Sequence, residues 1–411
     1  MLPNLISFAI PVFFAAIILE AVVGARRRRA YRLGCAVSDL DAGIASQVAD
    51  VFLKGIGIGV YAAVYRYRLV KLPEGTLWPW VVGIVGIDFL YYWWHRTSHV
   101  VNLFWAVHAV HHQSEDMNFA VALRQPAFEA LTIIPFHLPL ALVGVEPWIY
   151  VSCYAIDLIY QFWVHTELVR RQPSLEWVLN TPSAHRVHHG INAKYLDRNY
   201  GGIFLVWDRL FGTYQPEEEP PVYGVTHPLA SFNPIWANFA PFVEIAKRMG
   251  EARGTGKVGV LLAHPGRGAA IPTVVDRERF RKYDPRASPS TSRYVFAHFV
   301  ILTLAGGAFL SIAERQPPWS MAIPGALVVA STLPLAAWTD GRRWALPVDL
   351  ARQTATVALL GVVLGSRAGL AVGVAAALGL TLLFGALFAA FRPSHAAQRA
   401  PDERQRAPAP S

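Results

Sequence analysis

WHRTSHVVNLFWAVHAVHHQ, residues Trp94 to Gln113, is the stretch whose reading decides how this chain folds. Read as helix, His95 and His99 stand at i and i+4 and share a face. His108, His111 and His112 follow at i, i+3 and i+4, again on one face. The pattern returns far downstream in HRVHH, where His185, His188 and His189 repeat the spacing. Eight imidazoles thus occupy three short helical faces. Fourteen of the 411 residues are histidine, so an HxxHH run arises by chance only ~0.02 times in a chain of this composition. Two such runs beside an HxxxH point to metal rather than to hydrogen-bonded core histidines. Eight imidazoles exceed what one four-coordinate zinc takes, which favours two ions. Neutral imidazole suits iron, zinc and copper alike, so spacing alone leaves the metal open.

The composition around these clusters is that of a membrane protein. Hydrophobic residues make up 54% of the chain and charged residues only 16%, which suits several spans rather than a soluble enzyme. The net charge of +9 sits in loops that flank apolar runs, so it reads as topology and anionic-lipid contact rather than nucleic-acid binding. Cys35 and Cys153 are the only cysteines. Without CxxC spacing they form neither a disulfide framework nor a thiolate site.

Apolar runs place the histidines at a membrane boundary. Leu5 to Val23 is a first span, followed by Arg26 to Arg29. The basic cluster comes after the apolar run, so it reads as an uncleaved span with the arginines inside, not a signal peptide. Glu20, near the inner end, is expected to face protein or pair with those arginines. Ile44 to Tyr65 and Leu77 to Trp94 are the next spans, which brings His95 out on the cytoplasmic side. Arg66, Arg68 and Lys71 on the outer loop count against this orientation, but the five arginines of the first loop outnumber them. Gln125 to Tyr150, broken by four prolines, reads as a hairpin or re-entrant pair. His137 within it reads as a packing residue. Trp148 to Leu168 is a further apolar helix, and Tyr294–Ile312, Met321–Trp338, Leu350–Gly365 and Leu370–Phe391 are four more, small-residue-rich and suited to close packing. His298 is the one chemistry-bearing residue noted among them. His264-Pro265-Gly266 reads as loop.

HRTSH, HAVHH and HRVHH together resemble the membrane-bound fatty acid hydroxylase/sterol desaturase superfamily. His111 to Gln125, HHQSEDMNFAVALRQ, is similar to its alkylglycerol monooxygenase branch, and Asn199 to Tyr214, NYGGIFLVWDRLFGTY, to its closing signature. The resemblance covers residues 5–240 well and the remainder only in hydropathy. It implies an all-α polytopic membrane bundle with a cytoplasmic histidine-rich cap holding two iron ions, with zinc an occupant in some preparations. It implies O2-dependent hydroxylation of a lipid C–H bond, with electrons from an external reductase or carrier. The superfamily often carries a further histidine motif where His165 stands, in QFWVHTE, making His165 a ninth candidate ligand. The branch implies tetrahydrobiopterin dependence, against which stands Val100, where that branch commonly has an acidic residue. Glu115 and Asp116, the nearest acids, either tune the second cluster or contact a headgroup.

The remaining expectations follow from position. Asp88 lies seven residues before His95 and Asp157 eight before His165, on the same helical faces, so each can orient an imidazole from outside the ligand set; Asp208 is a third such candidate. Thr181 or Ser183 can cap the third histidine helix. His227 is a weaker ligand candidate. Four parts are expected: a catalytic membrane domain at 1–240, a basic cytoplasmic loop at 241–293, four C-terminal membrane helices at 294–392, and a disordered tail at 393–411. The setting is a multi-pass protein of a bacterial inner membrane. A desaturase on the same scaffold is the nearest alternative, and a metal transporter the rival from another class, disfavoured because the histidines sit at span ends rather than mid-membrane.

Overall fold

The structure, a computed structural model, describes residues 5–26, 31–267 and 280–394. Residues 27–29 of the expected arginine cluster, and all but the first two residues of the expected tail, lie outside them. Among the described residues regular structure is helical, with two isolated β-bridges, Leu179 with Phe204 and Gly190 with Tyr223. The chain opens with α1 (Leu5–Arg26) and α2 (Leu33–Tyr65), then α3 (Trp78–Val100) and α4 (Asn102–His112). A single turn, α5 (Phe119–Ala122), leads to α6 (Glu129–Val143) and α7 (Pro147–Trp163). Two short helices follow, α8 (Pro182–His188) and α9 (Val206–Leu210), then α10 (Pro234–Glu251) and α11 (Gly256–Leu262). Four long helices end the fold, α12 (Pro289–Ala313), α13 (Ala322–Thr339), α14 (Ala345–Ala368) and α15 (Leu370–Phe391).

Six helical segments among the described residues are long and apolar enough to cross a membrane, namely Phe8–Arg26, Leu33–Tyr65, Pro289–Ala313, Pro318–Thr339, Ala345–Ala368 and Leu370–Phe391. The 33 residues of α2 make a rod of about 50 Å, well beyond the roughly 30 Å of a hydrocarbon core. Its first turns, with Asp39 and Asp41 buried, therefore belong to the cap, and the expected span Ile44–Tyr65 is its far part. The expected span Leu77–Trp94 is the first part of α3, which runs on to Val100 with His95 and His99 and is not among the six. α6 has 15 residues, about 22 Å, which is short for a full crossing. It turns back into α7 at Gly144, where φ is 96°. A Cβ there would stand 2.2 Å from the Val70 carbonyl oxygen, so both the conformation and the space require glycine.

The largest hydrophobic cluster joins the two ends of the chain, with Phe13 and Ile17 of α1, Leu40 of α2, Phe162 of α7, Phe299 of α12 and Leu335 of α13. Of the four last helices, α12 and α13 thus pack on α2, and α14 and α15 pack on them in turn. α14 and α15 meet along glycines: a Cβ on Gly373 would stand 2.4 Å from the Gly361 carbonyl oxygen, the close approach expected of small-residue seams. These helices hold more chemistry than His298 alone. Asp349 accepts from the Tyr294 hydroxyl at 2.7 Å and from the Trp338 indole at 3.1 Å, and pairs with Arg352, which also donates to His298 Nδ1 at 3.0 Å. The described part of the expected basic loop is partly helical, in the end of α10 and in α11. Asn233 caps α10 by accepting from the Ile235 and Trp236 backbone N–H groups, with Pro234 at the first helical position.

Candidate metal centre

Nine histidines, all between 2% and 8% exposed, form two adjacent groups. His95, His99, His108, His112 and His188 make one, and His111, His165, His185 and His189 the other; within each, one ring nitrogen per residue lies within 4.8 Å of the others. The HxxHH runs are therefore not single faces. At about 100° per residue, i and i+4 lie about 40° apart, while i+3 falls about 60° to the other side of i. His108 and His112 accordingly stay together and His111 turns to the neighbouring group. In α8 the arrangement is mirrored, with His185 and His189 together and His188 crossing over. Thr181, not Ser183, caps α8, accepting from the Ala184 N–H at 3.2 Å.

The ring nitrogens decide what can sit between them. His111 Nδ1 is 2.9 Å from the Arg124 carbonyl oxygen, and His165 Nδ1 is 2.7 Å from that of Gln161. A carbonyl only accepts, so both Nδ1 atoms carry the proton and both Nε2 atoms present a lone pair. Those two Nε2 atoms are 3.1 Å apart. His95 and His188 are fixed in the same way, by the Tyr200 carbonyl at 2.8 Å and the Arg198 carbonyl at 2.9 Å. Their Nε2 atoms lie 3.0 Å from His108 Nε2 and 3.2 Å from His112 Nε2 respectively. Burial holds the rings neutral, pulling His111 down to about 4 and His188 to about 3, and His112, His185 and His189 well below the usual imidazole range. Facing lone pairs at hydrogen-bond distance, on neutral buried rings, repel unless a cation lies between them. The donor set therefore fits metal.

The three carboxylates expected beside the ligands act elsewhere. Asp88 accepts from the backbone N–H groups of Ile203 and Phe204 and from the Trp207 indole at 2.7 Å. Asp208 accepts from the Tyr200 N–H at 2.7 Å, the Gly201 N–H at 2.8 Å and the Thr213 hydroxyl at 2.7 Å. Asp157 accepts from the Gln161 side-chain amide at 2.7 Å. Among the described residues none of the three meets an imidazole. Asp208 instead braces the backbone at Tyr200, and Asp157 the side chain of Gln161, two residues whose carbonyls accept an imidazole proton, while Asp88 holds the turn at 203–207. These carbonyls carry no sequence signal. Two left-handed residues shape the main one, Asp197 (φ 58°) and Asn199 (φ 56°), flanking Arg198.

The remaining histidines stand apart. His137 bonds the Tyr150 hydroxyl at 3.1 Å, the packing role expected of it. His227 and His264 belong to neither group but line a cavity of about 130 Å³ that reaches His99, His112, His188 and His189. His264 Nδ1 accepts from the Gly266 N–H at 3.1 Å, so its Nε2–H donates to Asp197 at 2.9 Å. Glu115 and Asp116 face neither cluster. Glu115 accepts from the Tyr283 N–H, and Asp116 pairs with Arg32 at 2.9 Å and Lys282 at 2.7 Å, clamping the segment before α12 to the cap.

The fatty acid hydroxylase family profile matches residues 80–213, a span that holds all nine histidines. Similar curated proteins include the alkylglycerol monooxygenases of Xenopus tropicalis (36% identical, covering 73% of this chain and 69% of that protein), Homo sapiens (37%, covering 71% and 66%) and Danio rerio (35%, covering 73% and 70%). The chain belongs to the fatty acid hydroxylase family. No solved structure matches it. Similarity to the Xenopus tropicalis protein extends beyond residues 5–240, the stretch expected to carry the resemblance well: 73% of 411 residues is about 300.

Proposed function

We propose that this protein is a di-iron, O2-dependent lipid hydroxylase whose nine buried histidines hold the two ions, five around one and four around the other. The observation that carries the reading is the pair of facing lone pairs on His111 and His165, which a shared cation reconciles. Iron bound there supplies what side chains lack, the activation of O2 for attack on an unreactive C–H bond.

The chain's own residues do the rest. Backbone carbonyls of Gln161, Arg124, Arg198 and Tyr200 hold the imidazole protons on Nδ1, so every pinned ring meets metal through Nε2. Packing around the nine rings leaves them 8% exposed or less, which limits bulk water around the ions they would hold. The names of the relatives support a lipid substrate with an ether-linked carbon, as in an alkylglycerol. Electrons come from an external reductase or carrier, with tetrahydrobiopterin the candidate that the alkylglycerol branch suggests. The same reading assigns catalysis to residues 1–240, a four-helix membrane region to 294–392, and the active site to the cytoplasmic face of a bacterial inner membrane.

The test is lipid analysis of cells with and without the protein under ¹⁸O2. Label in a lipid product is the expected outcome. Loss of two hydrogens without label makes the enzyme a desaturase, and no lipid change at all overturns the assignment.

A further inference from the structure

The first helix reaches the metal centre through one side chain. Glu20, 5% exposed, accepts at one oxygen from the Thr166 hydroxyl. At the other it accepts from the Tyr31 hydroxyl and, at 2.7 Å, from the Phe119 N–H. Thr166 is the residue after His165. Its hydroxyl also accepts from the Leu168 N–H at 3.1 Å, which closes the turn. Its carbonyl accepts from Arg186 at 2.9 Å, and that guanidinium is forked onto Glu217 at 2.6 and 3.0 Å. The turn bearing His165 is thus gripped from two directions, by α1 through Glu20 and by α8 through Arg186. Phe162, stacked on Phe13 at 4.1 Å and on Phe119 at 4.8 Å, fixes the same three elements together one turn earlier.

A buried carboxylate is expensive unless its oxygens are met by donors, and here three donors from three separate segments meet one group. His165 itself lies past the end of α7, where no helix rung dictates its direction. Its ring must nonetheless point Nε2 at His111 and at His185, 3.1 and 2.9 Å away.

We infer that Glu20 is a positioning residue for the four-histidine group: through Thr166 it seats His165, so that the first membrane helix takes part in metal binding as well as anchoring. The inference rests on the two-ion reading above. Pairing with Arg26 to Arg29, the role expected for Glu20 from sequence, falls for 27–29 outside the described residues; the donors from Thr166, Tyr31 and Phe119 account for its burial.

The experiment uses full-length protein in detergent, loaded anaerobically with Fe(II), then dialysed against a weak chelator and analysed for metal per chain. Wild type is expected to retain two ions. Glu20→Gln, which turns an amide donor against the Phe119 N–H or the Thr166 hydroxyl, is expected to retain one, with the second held about 10- to 100-fold more weakly. Thr166→Val, which leaves α1 untouched, should reproduce that loss, and His165→Ala sets the benchmark for an empty four-histidine group. If both variants keep two ions at wild-type affinity and lose only thermal stability, Glu20 is scaffold and the inference falls while the metal reading stands. A wild type that binds no iron overturns the metal reading, and the inference with it.

Discussion

The cap and the C-terminal helices both bury histidine, and they do so to opposite ends. In the cap, nine rings bring their nitrogens together, and in four of them, His95, His111, His165 and His188, a backbone carbonyl holds the proton on Nδ1 and leaves Nε2 as a lone pair. In the C-terminal helices His298 is 1% exposed, yet its Nδ1 faces the Arg352 guanidinium, which Asp349 balances. A positive charge already stands where a metal would have to come. Burial alone therefore does not mark a ligand. What marks it is a ring whose second nitrogen is committed to a carbonyl, so that the first is left as a lone pair with nothing but other lone pairs before it.

The sharpest way to break this contrast is His111→Ala. It removes a proposed ligand and leaves the His165 lone pair without its counterpart. Turnover should fall at least about 1000-fold, as when a group made essential by the chemistry is deleted, while membrane insertion and the far-ultraviolet helical signal stay as in wild type; product formation and circular dichroism read the two. Activity close to wild type would sink the assignment of this group.

A smaller effect is expected one step outward. Asp208→Ala frees the Tyr200–Gly201 backbone whose carbonyl holds His95. Metal affinity of the five-histidine group should drop about 10- to 100-fold, read by competition with a chelator. An unchanged affinity would mean that the Tyr200 carbonyl is held by other contacts.

The smallest effect on metal belongs to the other region. Arg352→Ala strips a buried carboxylate of its partner, so stability should fall by about 3–5 kcal/mol. The folded fraction should still carry its full complement of ions. Loss of metal in that fraction would show that the two regions are coupled through α2.

The histidine rungs were legible because helical spacing is a local property of sequence. His165 was reachable only through family likeness, since a lone histidine in QFWVHTE has no periodic signal. The splitting of each HxxHH between two groups follows from helical angles, but only once a second helix stands opposite. Asp88 misled because a shared helical face says which way a side chain leaves the axis and not what waits there; a turn from residues 203–207 folds back onto it. The carbonyls of Arg124, Gln161, Arg198 and Tyr200 were invisible for a simpler reason, that every residue has one. The length of α2 was under-read because Asp39 and Asp41 look like loop composition. The structure satisfies Asp39 with Arg124 and Ser114.

The segment from Asp197 to Tyr200 sets where this enzyme can tolerate sequence drift. What it lends His188 and His95 is main chain, so exchanging the side chains of Arg198 or Tyr200 cannot delete the two acceptors. Asn199 is different, because its left-handed backbone is a shape that β-branched residues resist. Its amide also ties the segment to the Ala184 and Gln215 carbonyls, at 2.9 and 2.8 Å. A constraint of backbone shape is thereby carried by a position that bonds no imidazole, beside the packing constraint of its neighbour Tyr200, whose buried ring lies against His95, His99 and His188.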